Sequence, residues 1–176
     1  MISDFLTIKE SKGKPEGLKM AYIGDGNNVA NSLMLSCALT GMDLSVASPN
    51  GYKPSKDYVS KASVLSKSTG SRMEVVTKPA DAARDADILY TDVWISMGEE
   101  KEAARRMRAF KTYQINKGLL GYAKRNAIVM HCLPAHRGLE ITDDVLEGKQ
   151  SVAWAQGVNK IYGAASALSF ITKQKS

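Results

Sequence analysis

The chain has 176 residues, of which 44% are hydrophobic and 24% charged, a balance typical of one soluble globular domain. No apolar run approaches the ~20 residues of a membrane span, and the amino terminus lacks the pattern of a signal peptide. The formal net charge is +6, but the basic residues are scattered and aromatic residues make up only 7%, which argues against a nucleic-acid-binding surface. Two distant cysteines give neither a disulfide framework nor a zinc spacing, so we expect a reduced, cytoplasmic protein.

Short β-rich runs alternate with helical stretches along the chain. Strands are predicted over 18–24, 43–49, 73–77, 87–94 and 126–132, with a short sixth strand over 151–155. Helices are predicted over 25–41, 54–70, 78–86, 99–110, one or two turns of 142–148, and from Val158 to Thr172. This alternation predicts an α/β fold, a three-layer Rossmann-like arrangement with a mostly parallel sheet and helices on both faces.

Polar clusters follow three of the predicted strands. They are "GDGNN" after the first, "DVWISMG" at the end of the fourth and "HCLPAHRG" at the end of the fifth. Because ligands of such sheets bind beyond the carboxyl ends of the strands, we expect these clusters to converge on one pocket.

The first cluster offers two interpretations. Gly24 and Gly26 resemble part of a dinucleotide-binding loop, but Val29 stands at the third glycine position and no clear acidic residue ends the second strand. A tight strand-to-helix turn explains the glycines equally well. Asn27 and Asn28, two amides at a helix amino terminus, suit a carboxylate better than a pyrophosphate.

The second cluster is also ambiguous. Asp92 could hold an ammonium group, and Ser96 with nearby backbone N–H groups could hold a carboxylate. Alternatively, Asp92 caps the next helix and Trp94 packs in the core. On this segment alone, the structural interpretation is favoured.

The third cluster leaves three chemical interpretations open beside that of a buried cysteine. His131, Cys132 and His136 could ligate a metal, but Pro134 intervenes and no second ligand pair is evident. Cys132 could be a nucleophile with a histidine base, although adjacent side chains at a strand end point apart. Cys132 could instead line a pocket and contact a substrate amine.

Taken together, "YIGDGNNVANSLM", "TDVWISMG" and "HCLPAHRG…ITDDVLEG" closely resemble ornithine carbamoyltransferases, and the likeness covers nearly the whole chain. Enzymes of this family have two domains, and the first binds carbamoyl phosphate through a Ser-Thr-Arg-Thr-type segment and a His-Pro-x-Gln segment. Neither segment occurs in this sequence. The resemblance therefore implies that residues 1–176 form a single ornithine-binding domain, without the carbamoyl-phosphate-binding domain.

The resemblance also implies a reaction. The family transfers the carbamoyl group from carbamoyl phosphate to the side-chain amine of L-ornithine, which gives citrulline and phosphate in arginine biosynthesis. We expect no cofactor, metal, nucleic-acid or membrane partner. The family expectation is a homotrimer-based oligomer, and the isolated half is expected to be inactive.

Residue roles carry over at the matching positions. Asn28 and the backbone of Met97 would bind the ornithine carboxylate, and Asp92 and Ser96 would hold its α-ammonium group. Asp92 is thereby also a candidate catalytic residue.

The other end of ornithine would lie at the third cluster. Cys132, also a candidate catalytic residue, and the carbonyl of Leu133 would sit beside the side-chain amine that attacks the carbamoyl carbon. Cys132 would orient the substrate and handle a proton, rather than act as a covalent nucleophile. His131 and His136 would be positioning residues.

One segment departs from the family. In "WAQGVNKIYG", Asn159 is kept, but Lys160 stands where the family has an arginine that touches carbamoyl phosphate, and the neighbouring acids are gone. Lysine keeps the charge of arginine but loses its planar fork. Lys160 remains a candidate substrate-binding residue.

Two other functions stay open. The first is a carbamoyltransferase for another amine, such as putrescine or an acylated ornithine. The second is a non-catalytic module that binds an amino acid or a partner chain. The last helix, 158–172, is expected either to fold back onto its own sheet or to mediate self-association.

Overall fold

The computed structural model describes residues 1–96, 98 and 100–173. Its five-stranded sheet is parallel throughout and has the strand order β3-β2-β1-β4-β5. The strands are β1 (Lys19–Ile23), β2 (Asp43–Ala47), β3 (Met73–Val76), β4 (Ile88–Thr91) and β5 (Ile128–His131). The chain runs outward from β1 to β3 and then crosses to the other side of β1. The strand order therefore reverses between β1 and β4, which is where such sheets bind ligands.

Helices connect the strands and cover both faces of the sheet. They are α1 (Ile2–Lys12), α2 (Asn28–Thr40), α3 (Lys56–Thr69), α4 (Pro79–Ala83), α5 (Ala103–Phe110), α6 (Lys117–Leu120), α7 (Asp143–Leu146) and α8 (Ala153–Lys173), with a 3₁₀ turn at Glu100–Glu102 before α5. Glycines in the left-handed conformation end two of them, since Gly41 follows α2 and Gly70 follows α3. In the described part of the chain, no helix is long and apolar enough to cross a membrane.

Two hydrophobic cores lie on opposite faces of the sheet. Successive strand residues point to opposite faces, so Ile23 and Leu89 enter one core while Tyr22 and Tyr90 enter the other. Burial on both faces explains why the strands read as continuous apolar runs rather than as alternating patterns. The α/β class, the parallel sheet and the two helical layers are confirmed.

The predicted sixth strand, 151–155, is wrong. Ser151 forms only an isolated bridge to Val129, and α8 begins at Ala153, five residues earlier than the predicted start at Val158. Ala153 and Gln156 are buried at helical spacing, whereas Trp154 and Ala155 are exposed, so this run forms the first turn of a helix with one buried side.

Two helices, α1 and α6, were not predicted. In α1 the buried positions are Asp4, Thr7 and Ile8, so the buried face is largely polar and gives no apolar period. α6 has only four residues, too few for a helical period to show.

Candidate substrate-binding site

The turn after β1 is held by Asn27, which caps α2. Its Oδ1 accepts the backbone N–H groups of Val29 at 2.9 Å and Ala30 at 3.3 Å. Its Nδ2 donates to the carboxylate of Asp92, beyond β4, at 2.9 Å. One side chain therefore fixes both the start of α2 and the orientation of a neighbouring acid.

Gly26 in this turn is required by a close backbone approach. A Cβ atom at this position would lie 2.1 Å from the backbone nitrogen of Pro54, and the Gly26 N–H donates to the carbonyl of Tyr52 at 2.8 Å. This contact within the chain explains the glycine without a nucleotide, in agreement with the tight-turn interpretation.

Asp92 lies where the three polar clusters meet, and only 8% of its surface is exposed. One carboxylate oxygen accepts the Asn27 amide, and the other accepts the Val93 N–H and the Cys132 thiol, each at 2.8 Å. The ends of β1, β4 and β5 are thus joined by Asn27, Asp92 and Cys132. The three clusters therefore meet at the carboxyl edge of the sheet, as predicted, and the pocket expected there stays a prediction.

Burial raises the pKa of the Cys132 thiol well above its ordinary value, and the charge and hydrogen bond of Asp92 raise it further. The positive charge of Lys160 acts in the opposite direction but does not offset these effects. The sulfur is therefore a protonated hydrogen-bond donor, which disfavours the thiolate that a nucleophile or a metal ligand needs.

His131 shapes the turn that follows β5. Its Nδ1 accepts the N–H of Leu133 at 2.8 Å, so its Nε2 carries the proton and donates to Glu140 at 3.0 Å. His131 and Glu140 are completely buried. Leu133 has a positive φ of 49° and precedes a cis bond to Pro134, so the His131 ring supports an unusual backbone turn.

A metal centre is not formed by this cluster. Both ring nitrogens of His131 are engaged, and His136 is exposed. Among the described residues, no three His, Cys, Asp or Glu side chains group as metal ligands would. The positioning role fits the contacts of His131, whereas the His136 backbone N–H, not its ring, donates to Glu140.

α8 brings Lys160 to the same end of β5. The Lys160 ammonium donates to the carbonyl oxygen of Cys132. Its neighbour Asn159 points away and donates to Thr7 at 2.9 Å and Glu10 at 2.7 Å, both in α1. Lys160 is therefore part of the cluster, whereas Asn159 joins two helices.

Gln156 is a site residue that the sequence did not reveal. It is completely buried; its Oε1 accepts the His131 backbone N–H at 3.0 Å, and its Nε2 donates to Asp4 at 2.6 Å. The available signal was its position three residues before Asn159, on the same side of a helix. That signal was hidden because residues 151–155 were read as a strand.

The remaining predicted residues lie around this cluster. Asn28 is exposed in the first turn of α2, next to the capping Asn27, and Ser96 is partly buried in the segment after β4. Leu133 directly follows Cys132. Met97 lies outside the described residues.

Residues 16–171 match the family described as aspartate/ornithine carbamoyltransferase, Asp/Orn binding domain. The chain belongs to this family. It is 51% identical over 168 residues to a catabolic ornithine carbamoyltransferase of Thermoplasma acidophilum, covering 96% of this chain and 55% of the relative. It is 49% identical over 176 residues to an ornithine carbamoyltransferase of Methanocaldococcus jannaschii, covering 99% of this chain and 58% of that one.

Solved structures of the aspartate/ornithine carbamoyltransferase family share the fold. The enzyme from Pyrococcus furiosus is 44% identical with a TM-score of 0.90, over 94% of this chain and 53% of that one. The enzyme from Gloeobacter violaceus is 46% identical with a TM-score of 0.87, over 94% and 55%. The chain thus corresponds to the ornithine-binding domain and spans about half the length of its relatives. Because some relatives are catabolic, family membership does not assign it to arginine biosynthesis.

Proposed function

We propose that the chain is the ornithine-binding half of an ornithine carbamoyltransferase, which carbamoylates the side-chain amine of L-ornithine. The observation that carries the proposal is the buried carboxylate of Asp92, oriented by Asn27 and bonded to the Cys132 thiol at the carboxyl edge of the sheet. An acid held at this edge suits a cationic substrate.

The amino-acid end of ornithine is assigned to the region between α2 and the segment after β4. Asp92 and Ser96 bind the α-ammonium group. Asn28, the backbone of Met97 and the amino terminus of the 13-residue helix α2 bind the carboxylate.

The reactive end of ornithine is assigned to Cys132 and the carbonyl of Leu133. The side-chain amine attacks the carbamoyl carbon only when neutral, and an alkyl ammonium ordinarily has a pKa near ~10.4. The nearby ammonium of Lys160, bonded to the Cys132 carbonyl, disfavours a second positive charge and so favours the neutral amine. Because burial and the charge of Asp92 raise the pKa of the Cys132 thiol, the thiol orients the amine as a protonated, neutral group rather than as a thiolate.

Carbamoyl phosphate is assigned to a half that lies outside residues 1–176. Holding both substrates in contact there replaces a bimolecular encounter with an oriented one. Stabilisation of the leaving phosphate also comes from that half, so the 176-residue chain by itself is expected to make no citrulline. The cytoplasmic location and the trimeric assembly remain family expectations.

A second function, an amino-acid-binding module without catalysis, is favoured by one observation. Lys160 replaces the arginine that contacts carbamoyl phosphate in the family, and its ammonium is already bonded to the Cys132 carbonyl. A lysine offers no planar fork for a phosphate or carbamoyl group.

Calorimetry of the 176-residue chain with L-ornithine, norvaline and putrescine tests the proposal. Norvaline keeps the amino-acid end of ornithine, whereas putrescine keeps only the amines. We expect ornithine and norvaline to bind and putrescine not to bind. Binding of putrescine alone would indicate a different acceptor, and binding of none of the three would contradict the proposal.

A citrulline assay distinguishes the carbamoyltransferase half from the non-catalytic amino-acid-binding module. It is run with the chain alone and with the carbamoyl-phosphate-binding domain of a relative added in excess. We expect no citrulline from the chain alone and measurable citrulline with the added domain. Ornithine binding without citrulline in the mixture would favour the non-catalytic module.

A further inference from the structure

Arg106 is a buried arginine on a helix whose other arginines are exposed. Only 4% of the Arg106 surface is exposed, whereas Arg105 and Arg108 on α5 face the solvent. The Arg106 Nε donates to the carbonyl of Trp94 at 2.6 Å, and its Nη2 is paired with the carboxylate of Asp25.

Aromatic rings surround the guanidinium group. Its central carbon lies 4.9 Å from the ring centre of Tyr52 and 5.5 Å from that of Phe110. The Trp94 ring stacks on Phe110 at 6.0 Å between centres. The positive charge is thus paired with the carboxylate of Asp25 and lies against ring faces, which attract cations more strongly away from water.

Asp25 and Trp94, which Arg106 contacts, lie in two different segments of the candidate site. Asp25 is in the turn after β1, two residues before Asn27, which caps α2 and orients Asp92. Trp94 lies between Asp92 and Ser96 in the segment after β4. Arg106 itself lies in α5, which follows that segment. Its hydrogen bond to the Trp94 carbonyl therefore holds the start of α5 close to the end of β4.

We propose that Arg106 is a positioning residue that holds the segment after β4 against the turn after β1. It thereby fixes Ser96 relative to Asn28 and Asp92, the groups assigned to the amino-acid end of ornithine. This role rests on the proposed function. Arginine suits this role because its planar fork donates from Nε and Nη2 in two directions at once, a geometry that the compact ammonium of lysine lacks.

The test compares Arg106→Lys with the matched control Arg105→Lys on the same helix. Both are made in a Trp154→Phe background, so that the emission of Trp94 reports only on the segment after β4. We expect Arg106→Lys to shift Trp94 emission to longer wavelength and to increase its quenching by acrylamide. The affinity for norvaline should fall about tenfold, the size expected for one lost charge-assisted hydrogen bond. Arg105→Lys should change neither.

Three results would overturn the proposal. The first is Trp94 emission equal to that of the control, and the second is shifted emission with unchanged norvaline affinity. If Arg106→Lys does not fold, Asp25→Asn tests the same link. The third result is that Asp25→Asn changes neither Trp94 emission nor norvaline affinity. If the parent chain binds neither ornithine nor norvaline, the proposed function fails, while Trp94 emission still decides whether Arg106 holds the segment.

Discussion

The strand-end site and the outward side of α8 differ in how far the chain itself provides contacts for their side chains. At the site, Asn27, Asp92 and Cys132 complete one another's hydrogen bonds and are mostly buried. On the outward side of α8, a stripe of large apolar side chains remains exposed. It consists of Trp154, Val158, Ile161, Tyr162 and Leu168, whose exposed fractions run from 49% to 71%.

The comparison shows which interactions the 176 residues provide for themselves. The hydrogen bonds that join Asn27, Asp92 and Cys132 all form within these residues. The inward side of α8 is covered as far as Gly163, which packs on Ser3 of α1, and Asn159 bonds to Thr7, whereas Phe170 beyond it is exposed. The outward stripe of this helix has no cover among the described residues, and exposed apolar stripes of this kind are typical of contact surfaces.

The largest expected effect concerns the buried support of the site. His131→Ala should lower the free energy of unfolding by about 3–5 kcal/mol, because it leaves Glu140 buried without its ring partner. His136→Ala is the control, since that side chain is exposed, and it should stay within about 0.5 kcal/mol. Urea unfolding followed by circular dichroism measures both, and equal midpoints would refute the support role of His131.

The two sides of α8 can be compared by one substitution on each. Gly163→Leu should destabilise the chain by about 1–3 kcal/mol, because even a Cβ atom there would lie 3.2 Å from the Ser3 nitrogen. Ile161→Ser on the outward stripe should change stability by less than about 0.5 kcal/mol. Urea unfolding gives both values. A large loss for Ile161→Ser would mean that the stripe is covered within the chain.

A smaller effect is expected in the reactivity of Cys132. Because the folded chain raises the thiol pKa, the protonated form persists into alkaline solution and alkylation by iodoacetamide should be slow. Burial is the larger cause of the raised pKa, and Asp92→Asn removes a charge that raises it further, so the thiolate fraction and the alkylation rate should rise at fixed pH. Mass spectrometry of the labelled peptide separates Cys132 from the buried Cys37. Equal rates would contradict the Asp92–thiol contact.

The sequence predicted the fold well where buried residues recur at helical spacing or form a continuous apolar run. All five strands of the sheet were located to within three residues at each end, and glycine ends such as Gly70 of α3 were recognised. α1 was missed because it buries Asp4 and Thr7, which carry no apolar signal. The false sixth strand arose because short apolar runs do not distinguish a strand from a helix.

The site could be predicted only in part. The order of polar clusters at strand ends indicated which segments would meet, and they do. The sequence could not show that Asn27, rather than Asn28, reaches Asp92, because that depends on the geometry of the cap. Gln156 and Arg106 were missed for a related reason, since a polar residue on a helix ordinarily faces the solvent.

The most direct test of the central claim is the ornithine affinity of the chain after Asp92→Asn, compared with Asp57→Asn on the exposed surface of α3. Both variants remove one negative charge, but only Asp92 lies in the strand-end cluster. Calorimetry should show that Asp92→Asn weakens ornithine binding by about 1.5–3 kcal/mol, the loss of one charge-assisted contact, while Asp57→Asn leaves it unchanged. Equal affinities in the two folded variants would contradict the assignment of Asp92 to the substrate.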